Sequence, residues 1–139
     1  MALLKDAVAE IVDELQTISD LRNVPDEPPT NADPFPFAVV YPLSGIFVGG
    51  PAPLMKGLHS INIEIHVALK DMPRDFRHVM KLIDQIPYEM MKLRKDGLLT
   101  NLSTFGGISY TFGELSWAGV KTLGVIYTLE DVKIEREIT

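Results

Sequence analysis

Cysteine is absent from the 139-residue chain, and its absence excludes a disulfide framework, a thiolate zinc site and a cysteine nucleophile. Basic residues are scarce, since 13 Lys and Arg stand against 19 Asp and Glu, for a net charge of −6. Such a chain is poorly suited to gripping a phosphate backbone, although an acidic wall could surround DNA and let it slide. No apolar run reaches the roughly 18 residues of a membrane span, and the first ten residues lack the apolar run of a signal peptide. We therefore expect a soluble protein.

The sequence motifs of nucleotide-binding and hydrolase sites are also absent. GxGxxG, GxSxG, and GxxxxGK followed by Ser or Thr do not occur. His59 and His66 lie in one predicted strand seven positions apart, so they should point to opposite faces and cannot share a ligand. The sequence therefore predicts no catalytic residue, no bound metal and no cofactor.

Two segments have the apolar periodicity of amphipathic helices. In residues 2–22 the stripe is formed by Leu4, Val8, Ile11, Leu15 and Ile18. In residues 74–96 it is formed by Phe76, Val79, Met80, Ile83, Met90 and Leu93. Pro87 interrupts the second stripe, and it predicts a kink or a pair of short helices.

The region between the helices has the signature of a loop followed by a hairpin. Five prolines in residues 23–36 predict a stiff loop. FAVVY at 37–41 predicts a strand that bends or lies at a sheet edge, because Pro42 follows it, and residues 44–48 resume the strand. Residues 49–57 predict an unusually long hairpin loop with Leu54 and Met55 at its tip. An apolar tip of this kind either meets a protein partner or folds back on its own domain.

Residues 58–70, LHSINIEIHVALK, alternate in polarity as a half-buried strand does. The apolar side should pack under the helices and comprises Ile61, Ile63, Ile65, Val67 and Leu69. The other side comprises Asn62, Glu64, His66, Ala68 and Lys70, and a solvated face is its simplest interpretation. Glu64 and His66 would lie about 7 Å apart along the strand, and acid–base chemistry there would require a third group from elsewhere.

Strand character returns after Ser103 and continues to the end of the sequence. In the last run Leu123, Val125, Tyr127 and Leu129 share a face. A bulge near Glu130 would place Val132 and Ile134 on a new face. The aromatic residues in or beside the strands are expected in the core: Phe37, Tyr41, Phe47, Tyr110, Phe112 and Tyr127. Trp117, near a turn, could pack in the core or anchor an interface.

The order of these elements predicts a single α+β domain over residues 1–139. We expect a mostly antiparallel or mixed sheet of four to five strands, with two helices packed on one face and a long β-hairpin loop. The opposite face of the sheet would then be solvated or covered by another subunit.

Several features of the chain occur together in one known family. They are an acidic N-terminal helix, a proline-rich loop, a strand pair with a long loop, a helix after DMPRDF, and the terminal run YTFGELSWAGVKTLGVIYTLEDVKIEREI. Over nearly all of residues 1–139, in the order of its elements and in length, the chain resembles the tail terminator proteins of long-tailed bacteriophages and prophages. This group includes the minor tail protein U of lambda-like phages.

The resemblance implies a structural protein of the virion, assembled in the host cytoplasm and located at the head-proximal end of the tail. It implies a homohexameric ring that caps the tail tube, ends tube polymerisation and offers a surface for head–tail joining. The implied partners are the major tail tube protein and the head–neck connector protein, with DNA passing through the lumen without specific binding. The resemblance implies no catalysis, no cofactor and no membrane contact.

On this hypothesis the candidate interface residues are Leu54, Met55, Asn62, Glu64, His66, Lys70 and Trp117. The polar side of residues 58–70 would face the ring lumen or a neighbouring subunit, and a charge reversal at Glu64 should impair assembly while leaving the monomer folded. Two alternatives remain open. One is another neck or head-completion connector of the same virion, and the other is a small cytosolic ligand-binding or enzyme domain with Glu64 and His66 in a pocket.

Overall fold

The computed structural model describes residues 3–49, 53–95 and 105–138. The elements within these ranges are α1 (Leu4–Leu15), β1 (Phe37–Gly49), β2 (Leu54–Ala68), α2 (Met72–Lys95), β3 (Gly107–Trp117) and β4 (Val120–Glu137). The four strands form one antiparallel sheet in the order β1-β2-β4-β3. Both helices pack on one face of this sheet and share a single hydrophobic core with it. The predicted α+β class, with both helices on one face, is confirmed.

The core lies between the helices and the apolar side of the two central strands. Ile61, Ile63, Ile65 and Val67 of β2 are all buried there, as their alternation predicted. Burying one such side chain stabilises the fold by about 2 kcal/mol relative to leaving it in water. This face of β2 therefore fixes which way the polar side of the strand must point.

Helix α1 is shorter than its periodicity predicted. It ends at Leu15, and the chain continues in turns, although Ile18 and Leu21 remain buried in the same core. The Thr17 hydroxyl donates to the carbonyl of Glu14 at 2.6 Å, a local bond that competes with helical continuation. The apolar spacing thus correctly placed Ile11, Leu15 and Ile18 in the core but overestimated the length of the helix.

Helix α2 is one element, so of the two outcomes expected at Pro87, a kink or a pair of short helices, the pair is wrong. Pro87 lies inside it and supplies no N–H for the carbonyl of Ile83, which would ordinarily receive it. The hydroxyl of Tyr127 in β4 donates to that carbonyl instead. The sheet therefore satisfies the acceptor that the proline leaves open. Neither described helix is long and apolar enough to cross a membrane.

Strand β4 contains the bulge that its sequence predicted. The pairing with β2 shifts between His59 and Ile61, where β4 inserts an extra residue and Asp131 takes a φ of 56°. The expectation that Val132 would lie on a new face is wrong, because Val132 is buried in the same core as Leu129. The extra residue changes the alternation by one, so that the apolar side chains after the bulge return to the helix-covered face.

The β1–β2 hairpin is long, but its length lies in its strands. Strand β1 bends at a register shift between Pro42 and Ser44 and runs at the sheet edge to Gly49, as the sequence suggested. Strand β2 begins at Leu54, so the connection spans residues 50–53 and the predicted loop over 49–57 is wrong. Residues 50–52 of that connection lie outside the described residues.

Candidate functional site

The polar side of β2 lies on the sheet face turned away from the helices, which we call the second face. It is covered at one end by the chain itself. The ring of Phe37 stacks on the ring of His66 with centroids 4.8 Å apart, and Trp117 approaches His66 edge-on at 5.7 Å. The indole Nε1 of Trp117 donates to the carbonyl of Pro29 at 2.9 Å, which ties the proline-rich loop to this face.

Backbone hydrogen bonds hold the first residues of the proline-rich loop against the start of β1, where the loop ends. The amide of Arg22 donates to the carbonyl of Pro36 at 2.8 Å, and the amide of Ala38 donates to the carbonyl of Asn23 at 3.0 Å. Two X-Pro peptide bonds in the loop are cis, at Pro34 and Pro36. The loop is therefore fixed at its base and at Pro29.

A continuous hydrogen-bond network crosses the second face from β4 through β2 to β1. We call it the second-face network, and its members are Tyr41, Asn62, Glu64, His66, Thr122 and Thr128. His66 Nδ1 lies 2.6 Å from Thr122 Oγ1, and His66 Nε2 lies 2.9 Å from Glu64 Oε1. A neutral imidazole protonated at Nε2 satisfies both contacts, by donating to the carboxylate and accepting from the hydroxyl.

The other half of the network surrounds the phenol of Tyr41. Its hydroxyl donates to Glu64 Oε2 and accepts from Asn62 Nδ2 at 3.3 Å. The hydroxyl of Thr128 donates to Asn62 Oδ1 at 2.8 Å. Each of these polar side chains therefore has a partner from a neighbouring strand, as burial of polar groups requires.

The protonation of Glu64 and Tyr41 follows from this environment. Burial alone would raise the pKa of Glu64, but the hydrogen bonds from His66 and Tyr41 outweigh it and hold that pKa below its ordinary value of 4.5. Burial raises the pKa of Tyr41, and the neighbouring carboxylate of Glu64 raises it further. The network therefore favours an ionised Glu64 beside a protonated phenol.

Thr122, His66 and Glu64 form a hydroxyl–imidazole–carboxylate sequence, the order of groups used in nucleophilic catalysis. His66 and Thr122 are, however, both 0% exposed, so a substrate would have no access to the hydroxyl. Because these groups are buried, the network serves to link β1, β2 and β4. The described residues include no group of three or more His, Asp or Glu side chains placed to hold a metal ion.

The structure separates the seven candidate interface residues. Asn62, Glu64 and His66 are buried inside the chain, so the solvated or subunit-facing side that we expected for them is wrong. Lys70 is exposed after the end of β2. Trp117 is half-buried under the proline-rich loop.

The remaining two candidates, Leu54 and Met55, are half-buried residues of β2 rather than the exposed tip of a loop. They pair with Glu137 and Arg136 of β4. Their side chains therefore belong to the end of the sheet, beside the last residues of β1.

Among the described residues, a long exposed run with apolar side chains lies at the end of β1, and it includes Phe47, which the sequence placed in the core. We call residues 43–49 the distal half of β1, and all seven are exposed. Ile46 is 59% exposed, Phe47 64% and Val48 42%. Strand β1 contains no charged residue over its whole length, Phe37–Gly49. That absence of charge was the sequence signal for an unprotected edge, since edge strands usually carry charges that block pairing.

A second exposed apolar surface lies between α2 and β3, and we call it the α2–β3 patch. It consists of Met72, Phe76, Met80, Tyr110 and Phe112. The rings of Phe76 and Phe112 meet edge-on with centroids 5.8 Å apart. Phe76 and Met80 were expected in the core and are exposed instead. The buried stripe of α2 contains the predicted Val79, Met90 and Leu93 together with Leu82 and Ile86.

An apolar groove of about 500 Å³ runs between α1, the proline-rich loop and the edge of β1. We call it the α1–β1 groove. Its lining residues are Leu4, Lys5, Val8, Ala9, Val12, Asp26, Glu27, Pro28, Val40, Tyr41 and Pro42. Its walls are mostly aliphatic, and its charged residues are two acids and one lysine.

Comparison of the sequence with models of known protein families gives no match, and comparison with curated proteins also gives none.

Proposed function

We propose that this chain is a structural protein of a phage virion that forms a ring on the head-proximal end of the tail tube. The ring ends tube polymerisation and provides the surface for head–tail joining. The proposal includes no catalytic step and no cofactor. It starts from the resemblance of the element order to tail terminator proteins and is supported by the surfaces of the fold.

The observation that carries the proposal is the distal half of β1. This half-strand lies at the sheet edge, carries no charge and exposes Ile46, Phe47 and Val48. An edge strand of this kind tends to pair with a strand of another chain through its unpaired backbone groups. A monomeric protein ordinarily blunts such an edge, whereas an assembling subunit uses it. The net charge of −6 is compatible with a lumen that DNA passes without adhering.

The enzyme alternative has less support from the geometry. Glu64 and His66, which it would place in a pocket, are enclosed by Phe37, Trp117 and Tyr41. Both side chains use their polar atoms in contacts within the chain. A binding role on the protein surface therefore agrees better with where the exposed apolar residues are.

The test is a capping experiment with tubes polymerised from the major tail tube protein of the same virion. Added protein should halt elongation and appear by negative-stain electron microscopy as an annular density on one tube end. A parallel mixture with DNA-filled heads separates a terminator from a head-completion protein, because a terminator should bind tubes first. Binding to heads with no effect on tube length would overturn the proposal.

A further inference from the structure

We infer that a small cavity at one end of the core binds a small molecule that carries a carboxylate on an apolar body. The cavity, which we call the His59 cavity, lies between the start of α1 and the paired ends of β1, β2 and β4. The inference goes beyond the proposed function, because it holds whether or not the chain caps a tail tube.

His59 is the buried polar group of this cavity. It continues the alternation of Ile61 and Ile63 in β2, so its side chain lies on the helix-covered face of the sheet, where it is 5% exposed. Among the described residues neither ring nitrogen has a hydrogen-bond partner. Buried polar groups in proteins are nearly always paired, so this imidazole needs a partner from outside the chain.

Two glycines provide the space in which the imidazole lies. Gly45 is the partner of His59 on β1, and Gly57 precedes it by two residues on the same face of β2. A Cβ at Gly45 would lie 2.5 Å from Nδ1, and a Cβ at Gly57 would collide with Nε2. The ring of Phe47 meets the imidazole edge-on with centroids 5.2 Å apart. The ring is therefore held across two positions that only glycine leaves open.

Arg136 supplies the charge of the His59 cavity. It pairs with Met55 in the sheet, and its side chain lines the cavity together with His59. Arg136 is exposed and forms no ion pair with any described residue. No acidic side chain of the described residues lines the cavity, although the whole chain has a net charge of −6. The group that complements this lining is therefore an anion.

The number of donors favours a carboxylate over a phosphate. Burial lowers the pKa of His59 below its ordinary value of 6.5, so the ring is neutral at pH 7 and carries one N–H donor. One N–H and one guanidinium match the two oxygens of a carboxylate. A phosphate has more charge and more oxygens than these two groups can satisfy, and leaving the remainder without partners in an apolar cavity is unfavourable.

The other walls specify an apolar body of limited size. They are formed by Leu3, Leu4, Phe47, Met55 and Ile134. The volume of the cavity is about 180 Å³. An apolar protein cavity of roughly 150 Å³ holds a benzene molecule, so a body of about five or six carbons fits here. A buried water requires at least two polar partners and would leave these apolar walls unfilled.

Hexanoate is the probe for a binding test with the full chain. Acetate and hexan-1-ol are its controls, because the first lacks the apolar body and the second lacks the carboxylate. Hexanoate at millimolar concentrations should shift the NMR signals of the His59 ring to saturation, and both controls should bind about tenfold more weakly. No shift with hexanoate, equal binding of hexan-1-ol, or tighter binding of inorganic phosphate would each overturn the inference.

Three variants connect the binding to its assigned residues. Arg136→Gln should weaken hexanoate binding about tenfold without changing the melting temperature, because Arg136 is exposed. Arg77→Gln, at an exposed arginine of α2, is the matched control and should bind like the native chain. His59→Phe keeps an aromatic ring without its nitrogens and should weaken hexanoate binding but not hexan-1-ol binding. Should His59→Phe fail to fold, Arg136→Gln still decides: unchanged affinity, or an equal loss in Arg77→Gln, would overturn the inference.

Discussion

Glu64 illustrates how a polar residue on an apparently solvated strand becomes part of the interior. Its pKa is held below the ordinary value of 4.5 by His66 and Tyr41, which outweigh the effect of burial. A depressed carboxyl pKa means that the ionised group stabilises the fold above its unfolded pKa. That stability is lost as the pH falls through the folded pKa.

Glu64→Gln should therefore lower the free energy of unfolding by about 2 kcal/mol at neutral pH, since one charged hydrogen-bond acceptor is lost. The difference from the native protein should shrink as the pH falls below 4.5. Urea unfolding over a pH series measures both effects. Glu114→Gln, at an exposed carboxylate of β3, is the control and should change stability by less than about 0.5 kcal/mol. A pH-independent difference for Glu64→Gln would contradict the assignment.

The charge reversal first considered for Glu64 now has a different expected result. A lysine at this buried position would lie against His66 and would lose both native partners. Leaving a buried charge unpaired costs about 3–5 kcal/mol. We therefore expect Glu64→Lys to unfold much of the protein, which circular dichroism would detect, rather than to leave a folded monomer that fails to assemble.

Tyr127 and Pro87 are related through the carbonyl of Ile83, which Tyr127 satisfies because Pro87 has no N–H. Tyr127→Phe removes the donor to the Ile83 carbonyl and should cost about 1–2 kcal/mol. In the Pro87→Ala background the new amide can donate to the same carbonyl, so the cost of Tyr127→Phe should become smaller. A double-mutant cycle by denaturant unfolding measures this coupling. Strict additivity of the two changes would show that the carbonyl does not depend on the tyrosine.

At the scale of the strands, the close approach of β2 and β4 depends on one glycine. A Cβ at Gly124 would lie 2.0 Å from the backbone carbonyl oxygen of Ile65, whereas one at its β3 partner Gly113 would meet nothing within 4 Å. Gly124→Ala should therefore destabilise the fold by about 3 kcal/mol, at the upper end of overpacking effects. Gly113→Ala is the matched control and should change stability little. Equal melting temperatures for the two variants would refute this account of the strand spacing.

The same elements show what periodicity can and cannot predict. Alternation in β2 correctly assigned Ile61, Ile63 and Ile65 to the core, because one apolar face of a strand must be buried. It could not show that Glu64 and His66 are also buried. Their cover comes from Phe37 and Trp117 on other strands, and no local pattern records which residues the topology brings together.

The predictions for the exposed side of α2 and for the hairpin loop were wrong because local patterns do not show which elements lie next to each other. Phe76 and Met80 fit an apolar stripe, yet the sheet they would pack against ends at β3, so they remain exposed. Glycine and proline in residues 49–57 indicated a loop, but pairing with both β1 and β4 makes Leu54 onward a central strand. In the hairpin, long-range strand pairing overrode local propensity.

For the whole molecule, the proposed function would give the distal half of β1 and the α2–β3 patch different contacts. The distal half of β1 and the α2–β3 patch belong to different edge strands of the sheet, β1 and β3. A capping ring requires one contact between copies and another with the tube or the connector. We assign the first to the distal half of β1 and leave the α2–β3 patch for a different protein of the virion.

Two surface variants test this division. Ile46→Thr combined with Val48→Thr should weaken self-association by about 2 kcal/mol, or roughly thirtyfold, because apolar area no longer leaves water. Both residues are exposed in the monomer, so its melting temperature should change little. Phe76→Ser, in the α2–β3 patch, should retain self-association and lose binding to tubes or heads. Sedimentation velocity measures the first property and electron microscopy the second. The reverse pattern would exchange the two surfaces, and loss of self-association in both variants would show that copies meet through a surface spanning both edges.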